Sequence, residues 1–487
     1  MQQPGIRSNP AKVQRALCLS VFLVPFMGSS LNLALPRIAA DFSMSAFSLT
    51  FLVSSYLVAT TMFQMPAARL ADLLGKRRLF RVGLAIFGAA TLLGGLSWSG
   101  DSLIATRFLS GFGSAFVFAT NMAILTSVFP KEQRGRALGI NTAVVYFSVA
   151  VGPFIGGVLS HYFGWRSIFF VCFALTILAM AAGAAAIRDE WTEAKGEPFD
   201  ATGSAFYFVA IGALVMGFSY LPSWQGWALL AVAAVCVPVF VAVERRTSHP
   251  MLNLAIFAQN RNFRLASLSA MINYSASFAI GFILSLYLQF VAGMTPYHAG
   301  FVLMAQPITQ SILSPLGGRL SDRMNPSILT TIGMGLIAVG LFLLAGLGPQ
   351  SSLSGVVLIL VLVGVGFALF SSPNVNIIMG SVPRRLSGLA SATTGTARQL
   401  GQSLSMAATS LVIHHYMGKR ELSPETSDLF IPAMGTCFLI FAAVCLVGMY
   451  TSASKLMGSD KDREWRHVSA RLEARDENGD TEEHTRS

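Results

Sequence analysis

The chain alternates between long apolar runs and short polar segments. Fourteen runs approach the roughly 20 residues that an α-helix needs to cross the hydrocarbon core of a bilayer. Their length and nearly uniform apolar character predict membrane-spanning helices. The runs cover residues 15–36, 46–68, 79–98, 102–128, 136–160, 166–187, 203–221, 226–243, 265–290, 298–316, 327–346, 353–377, 387–413 and 431–450.

The apolar pattern repeats once within the chain. A charged segment at residues 68–78 follows the second run, and a similar segment at 318–323 follows the tenth. Asn121 in the fourth run recurs as Asn374 in the twelfth. Two related halves of this kind are typical of secondary transporters. We therefore expect runs 1–6 and 9–14 to form two six-helix bundles, with runs 7 and 8 as an inserted pair.

This repeat predicts the domain organisation of an all-α integral membrane protein. Residues 188–264 include a short Leu- and Phe-containing stretch near residue 250 that is too short to span and is expected to lie at the membrane interface. The expected units are an N-terminal tail (1–14), an N-terminal six-helix bundle (15–187), a linker with two inserted helices and the interfacial segment (188–264), a C-terminal six-helix bundle (265–450) and a C-terminal tail (451–487).

Composition agrees with a membrane environment. Of the 487 residues, 53% are hydrophobic and only 12% are charged, about half the charged fraction of an ordinary soluble domain. The five cysteines all lie in apolar runs without paired spacing, so we expect neither a disulfide framework nor a metal site. No phosphate-binding loop of the G-x-x-x-x-G-K-[ST] type is present, and no cofactor is expected.

The net charge of +11 is distributed in a way that predicts topology. Lys and Arg concentrate in alternate loops and in both terminal segments, whereas the remaining loops hold only Arg37, Arg166, Lys419 and Arg420. Positive loops stay on the cytoplasmic side. Both termini are therefore expected in the cytoplasm, with the protein in the cytoplasmic (inner) membrane. Because the basic residues form no single patch, no nucleic-acid partner is expected.

The first charged segment contains Asp72, Gly75, Lys76 and Arg77 between the second and third helices. This pattern resembles the G-x-L-a-D-r-x-G-r-k loop of the major facilitator superfamily. Nearly the whole chain, roughly residues 12–455, resembles its fourteen-helix drug:proton antiporter family. The resemblance implies the major facilitator fold and a transporter rather than an enzyme.

The acidic residues of the charged segments predict a cytoplasmic gate. Asp72 can pair with Arg136 at the start of the fifth helix and face a helix N-terminus of the other half near Ser387. Asp322 is its counterpart in the second half. Gly75 permits the tight turn. The alternative for the neighbouring basic residues is that they only anchor the chain on the cytoplasmic side.

Two further stretches resemble motifs of the superfamily. Arg107 opens an R-x-x-x-G pattern in the fourth helix, which implies a part in coupling; the alternative is an arginine that extends to the membrane interface. The fifth helix carries a G-P-x-x-G-G pattern, which the resemblance associates with a hinge typical of exporters; ordinary small-residue packing is the alternative. The residues of that pattern are Gly152, Pro153, Gly156 and Gly157.

The first helix departs from the family pattern, because Met27 stands where that pattern has an acidic residue. No Asp or Glu lies in the middle of any predicted span, whereas proton coupling usually needs a buried carboxylate. A cavity that holds Arg398 without a carboxylate should prefer neutral or anionic substrates. The polar residues expected to line this cavity, about half of them serving helix packing instead, include Asn32, Gln64, Asn121, Tyr146, Asn273, Gln306, Asn374 and Arg398.

The sequence thus predicts a monomeric secondary transporter that exports amphipathic small molecules or drugs by alternating access. Proton antiport is the expectation inherited from the resemblance. The alternatives are an uncoupled or anion-selective facilitator of the same fold and a non-transporting membrane sensor or scaffold.

Overall fold

A computed structural model is all-helical in the part of the chain that it describes. It describes residues 8–192, 196–221, 223–247, 257, 259–382, 387–418, 420 and 426–456, with backbone only at 131–132, 134–136, 138, 142, 322, 387–389, 391–392 and 456. The helices are α1 (Pro10–Phe42), α2 (Ala46–Leu74), α3 (Lys76–Gly95), α4 (Gly100–Val128), α5 (Lys131–Phe163), α6 (Arg166–Ala186), α7 (Ala201–Tyr220), α8 (Trp224–Arg246), α9 (Arg261–Val291), α10 (Pro296–Arg323), α11 (Pro326–Ala345), α12 (Leu353–Gly380), α13 (Ser387–Met417) and α14 (Ser427–Ala453).

The prediction of fourteen helices is confirmed. Twelve of the described helices are long and apolar enough to cross a membrane. The other two, α10 and α13, have 28 and 31 residues and are long enough to span, but they are less apolar. Both pack against the opposite half of the molecule, α10 on α5 and α13 on α2. The polar residues of α10 and α13 can therefore face other helices instead of lipid.

Short polar residues set the helix ends. The Asn9 side chain accepts hydrogen bonds from backbone N–H groups at the start of α1, and Ser99 forms a capping box with Ser102 at the start of α4. Gly75 separates α2 from α3 with a positive φ of 109°, a conformation that favours glycine. These turns are tight, so successive helices cross the membrane in opposite directions.

The chain therefore has two membrane faces. We call the face where α1 begins and α14 ends the tail side, and the opposite face the far side. Helices α1–α6 pack mainly on one another, as do α9–α14. We refer to these groups as the N-half and the C-half.

Helix α9 is locally irregular near the middle of its length. Its first part ends at Ser277, its second part begins at Ala279, and a π-helical turn follows at Tyr287–Val291. The Ala279 N–H donates to Ser405 Oγ of α13 at 3.2 Å. A side chain from a neighbouring helix thus supports this irregularity, which is how irregular backbone persists at membrane depth.

The inserted pair lies over the line where α2 meets α13. Helix α7 packs on both helices, while α8 packs mainly on α7. The Tyr207 hydroxyl donates to Thr61 O at 3.0 Å, and Met62, Ile211 and Ala407 belong to the same apolar cluster. The predicted interfacial segment lies outside the described residues except for Phe257, which packs on Phe263.

Candidate transport pathway and gates

The two halves are joined firmly toward the far side. On α2 and α13, Thr50 Oγ1 lies 2.9 Å from Ser410 Oγ, and the Thr61 and Ser403 hydroxyls share a 3.0 Å hydrogen bond. Ala46 N–H also donates to the carbonyl oxygen of Arg420 at 3.3 Å. Thr50 is near the far end of α2 and Thr61 is about 20 Å from that end, at 1.5 Å per residue. We call this line of contact between α2 and α13 the seam, and it is closed from the far surface to the middle of the membrane.

A second close contact joins α5 and α10. A Cβ added to Gly157 would lie 2.6 Å from Pro296 O, and a Cβ added to Gly300 would lie 2.6 Å from Pro153 O. Each helix thus presents a glycine to the backbone carbonyl of a proline in the other helix. Phe154 packs on Phe301 beside this crossing, with ring centroids 4.9 Å apart. Both contacts lie on the far half of the membrane.

The other glycines of the predicted hinge serve packing within the N-half. Ser30 Oγ of α1 donates to Gly152 O at 2.9 Å, and a Cβ at Gly156 would lie 2.5 Å from Ser30 Cα. Close backbone approach between α1 and α5 therefore requires these glycines. A hinge at Pro153 remains a prediction. The glycines of the motif have two different partners, since Gly152 and Gly156 contact α1 and Gly157 contacts the C-half.

Arg107 is buried inside the N-half. Its side chain is only 1% exposed, and its guanidinium lies over the Tyr56 ring at 4.5 Å from the centroid. Among the described residues, its Nε and Nη1 have no hydrogen-bond partner. Gly111 allows this approach of α2 to α4, since a Cβ there would lie 2.3 Å from Tyr56 O. The buried position does not fit an arginine that extends to the membrane interface.

Arg398 of α13 lies where side chains of both halves converge. It is half-buried, with its guanidinium 5.6 Å from the centroid of the Phe118 ring on α4. Tyr56 and Tyr274 lie within electrostatic range of its guanidinium, and Tyr146 of α5 lies beside Tyr274. These residues lie about 15 Å or more from either end of their helices, at the middle of the membrane. We call Tyr56, Phe118, Tyr146, Tyr274 and Arg398 the central cluster.

Three predicted cavity residues instead bind neighbouring helices. The Asn121 amide donates to Leu17 O at 2.9 Å, and its repeat counterpart Asn374 donates to Ala266 O at 3.1 Å. Asn273 Nδ2 lies 3.2 Å from the Met334 sulfur. Both carbonyl contacts join helices within one half. They are the interhelical hydrogen bonds that membrane bundles use for packing.

The remaining amides lie at contacts between helices of the pathway. Asn32 is half-buried at the crossing of α1 and α9, where its carbonyl accepts a hydrogen bond from Ser285 Oγ. Gln64 lies at the seam, with Nε2 3.2 Å from where a Cβ of Gly395 would stand. Gln306 is half-buried, and its backbone packs against Gly364 of α12.

The predicted gate lies at the tail side. The Asp72 side chain is 35% exposed and lies 3.9 Å from the Lys76 ammonium, which is only 3% exposed. The side chains of Arg136, Asp322 and Ser387 lie outside the described residues. The proposed pairing of Asp72 across the gate therefore remains a prediction.

The start of α3 has a partner that the sequence reasoning missed. The first turn has no side-chain cap of its own. Glu190 Oε1 accepts from Arg77 N at 2.8 Å, and Trp191 O accepts from Lys76 N at 3.1 Å. The linker after α6 thus supplies the acceptors that a helix N-terminus needs. Two features of the sequence could have indicated this contact. The start of α3 at Gly75 has no capping side chain, and the linker contains the acidic pair Asp189 and Glu190.

Comparison with known proteins identifies the fold and the family. The model of the Major Facilitator Superfamily matches residues 17–406. The chain belongs to the Major Facilitator Superfamily. Two structures of a mutant peptide transporter POT, with alafosfalin and with sulfate, show the same fold: their TM-scores are 0.65 and 0.66 at 15% and 16% identity, covering 89% and 92% of this chain and 93% and 96% of theirs.

Curated members of the superfamily resemble the chain over most of its length. The riboflavin transporter RibZ of Clostridioides difficile (strain 630) is 27% identical over 91% of this chain and 97% of its own. Multidrug resistance protein Stp of Mycobacterium tuberculosis (strain CDC 1551 / Oshkosh) is 31% identical over 81% and 74%. The tetracenomycin C resistance and export protein of Streptomyces glaucescens is 29% identical over 85% and 78%. The protein is thus a multi-pass membrane transporter of small molecules.

Proposed function

We propose that this superfamily transporter exports amphipathic small molecules from the cytoplasm by alternating access. The observation that carries the proposal is the closed seam of the far side, which joins two halves around a central cluster at mid-membrane depth. With the tail side in the cytoplasm, as the distribution of Lys and Arg predicts, this arrangement is the state closed to the outside.

Export, rather than uptake, is supported by two features. The fifth helix carries the G-P-x-x-G-G pattern, whose Gly157 contacts the C-half. Relatives that match over most of their length include one named for multidrug resistance and one named for export. A further relative is named as a transporter of riboflavin, a planar aromatic compound, and its name does not say in which direction riboflavin moves.

Export can be tested in a bacterial host that lacks its own drug exporters. Cells expressing the transporter are loaded with a panel of fluorescent amphipathic compounds, and intracellular fluorescence is followed against cells with empty vector. Lower accumulation for at least one compound, lost in an Asp72→Asn variant present at equal membrane levels, supports export through a gated pathway. Higher accumulation than in vector cells would identify uptake and overturn the proposal.

Proton antiport is the finer part of the proposal. No Asp or Glu lies in the middle of a predicted span, so a proton-linked cycle would have to use groups nearer the helix ends. The test is transport by purified protein in proteoliposomes, with either a pH gradient or a membrane potential imposed alone. Acceleration by the pH gradient together with movement of protons supports antiport. Equal rates with and without the gradient identify an uncoupled facilitator.

The proposed setting is a monomer in the cytoplasmic membrane, with both termini inside. Reporter fusions at the two ends test the topology, because alkaline phosphatase is active only outside the cytoplasm. Phosphatase activity from either fusion would contradict the orientation on which export rests.

A further inference from the structure

Two arginines within the membrane lie near one tyrosine. Arg107 of the N-half lies over the Tyr56 ring at 4.5 Å from its centroid, and Arg398 of the C-half lies farther away, within electrostatic range of the same tyrosine. Among the described residues, neither arginine forms an ion pair with a carboxylate. The centre of the molecule therefore carries two positive charges, one from each half, without a protein counter-ion in the described parts.

Positive charge at this depth costs free energy. A charged side chain near the bilayer centre is costly to insert, and such residues normally pair or face a cavity. A bound anion would offset that cost, because guanidinium groups form paired hydrogen bonds with carboxylates. A cation would add a third like charge to the same region.

The two arginines differ in what they can reach. Arg107 is 1% exposed and covered by Tyr56, so in this state it acts through its field. Arg398 is half-buried and lies against Phe118, at the point where α4 of one half faces α13 of the other. Arg398 is thus the arginine that a molecule in the pathway can contact directly.

The surroundings of Arg398 are aromatic. Phe118, Tyr146 and Tyr274 come from three different helices of both halves, and Tyr56 completes the central cluster. Aromatic side chains pack favourably on flat aromatic ligands through offset or edge-to-face contacts. A charged anchor among aromatic side chains is a common composition of a small-molecule site.

We propose that the central cluster binds aromatic compounds that carry one anionic group such as a carboxylate, with Arg398 as the direct anchor and Arg107 as a second positive charge behind Tyr56. This inference rests on the proposed transport function and names its substrate class. Because the anchor belongs to the C-half and Tyr56 and Phe118 to the N-half, the bound anion contacts both halves that move during alternating access.

The test measures binding to the purified full-length transporter with three matched fluorescent probes. Pyrenebutyrate is the anion, pyrenebutanol the neutral analogue and pyrenebutyl-trimethylammonium the cation. We expect pyrenebutyrate to bind about tenfold or more tightly than the other two, equivalent to one charge-assisted contact. Equal or tighter binding of the cation would overturn the inference.

Variants then test whether Arg398 causes the preference for pyrenebutyrate. Arg398→Gln should abolish the advantage of pyrenebutyrate and leave pyrenebutanol binding nearly unchanged, while Arg398→Lys should retain part of it. Arg15→Gln, which removes an exposed arginine of α1, is the matched control and should change nothing. Equal weakening of all three probes in Arg398→Gln, in protein that elutes as the wild type on gel filtration, would mean a structural role and contradict the proposal.

The result is separable from the direction of transport. An anion preference in binding, together with uptake in cells, would overturn export and leave this inference standing. Export of neutral compounds without any preference for anions would support the proposed direction of transport and overturn this inference.

Discussion

Single glycines determine how closely the halves approach. Gly157 and Gly300 each lie where a side chain would meet a backbone carbonyl of the opposite half at 2.6 Å. A backbone atom cannot rotate away as a side chain does, so a methyl group here must push α5 and α10 apart. Each of these two glycines is therefore adapted to one conformational state rather than to helix stability alone.

Gly157→Ala should shift the transporter toward the state open to the far side. The added methyl group clashes only while α5 and α10 are in contact, so it penalises the closed far side. The measurement is labelling of a cysteine at position 50 by a membrane-impermeant maleimide, with the native cysteines replaced. We expect labelling to accelerate by about tenfold for a penalty of ~1.4 kcal/mol.

Gly139→Ala is the matched control for this prediction. It lies on the same helix, and a Cβ there would meet nothing within 4 Å. Labelling at the wild-type rate in Gly157→Ala, or equal acceleration in both variants, would contradict the assignment of Gly157 to the far-side contact.

Lys455 is a buried charge just beyond α14. Its ammonium donates to Asn374 Oδ1 at 3.3 Å, and burial lowers its pKa from the usual 10.5 to about 7. The unfolded chain therefore binds more protons than the folded one between pH 7 and 10.5, and this residue costs stability that is regained as the pH rises. The cost is fully present below pH 7.

Lys455→Met should consequently raise thermal stability most in mildly acidic buffer. The gain in melting temperature over wild type should be largest at pH 6 and shrink steadily toward pH 9, because wild-type Lys455 loses its charge over that interval. Lys12→Met, at an exposed position, serves as the control. A gain that is constant or grows with pH would show that Lys455 is not a buried cation in the folded protein.

At the scale of helices, α2 and α13 form the seam that must open. Thr50 and Ser410 face each other across it near the far end, with their hydroxyl oxygens 2.9 Å apart. Alternating access requires this pair to separate in every transport cycle. The pair is therefore a place where the motion can be stopped reversibly.

A Thr50→Cys, Ser410→Cys double variant should form a disulfide under mild oxidation and then stop transport. Dithiothreitol should restore the rate to that of the reduced variant, since the cross-link holds only the closed state. The two single-cysteine variants control for oxidation of lone thiols. Full transport with the cross-link demonstrably formed would show that this seam does not open during the cycle.

The helices themselves were predictable because lipid imposes a simple rule. Long apolar runs must become helices in a bilayer, so the runs and their repeat predicted α1 to α14. The same logic predicted that some polar residues would join helices, and Asn121 and Asn374 do so in corresponding places. The contacts of Glu190 with α3 and of Arg398 with Phe118 involve residues far apart in sequence, and no periodic pattern encodes them.

At the scale of the whole molecule, two gates at opposite faces control one equilibrium. The contacts of Gly157 and of the seam favour the state closed at the far side. Asp72, at the tail side, is predicted to favour the opposite state by closing the cytoplasmic gate. Substitutions at the two sites should therefore have opposite effects on the same measured population.

Asp72→Asn should slow far-side labelling of the cysteine at position 50, whereas Gly157→Ala accelerates it. The sites lie near opposite ends of the membrane, so their free-energy effects should add, and the double variant should label at an intermediate rate. Arg15→Asn, which changes an exposed charge of α1, controls for altered surface charge. Faster labelling in Asp72→Asn would reverse the gate assignment. A double variant that labels like either single variant would mean that the two faces are not coupled through a single two-state motion.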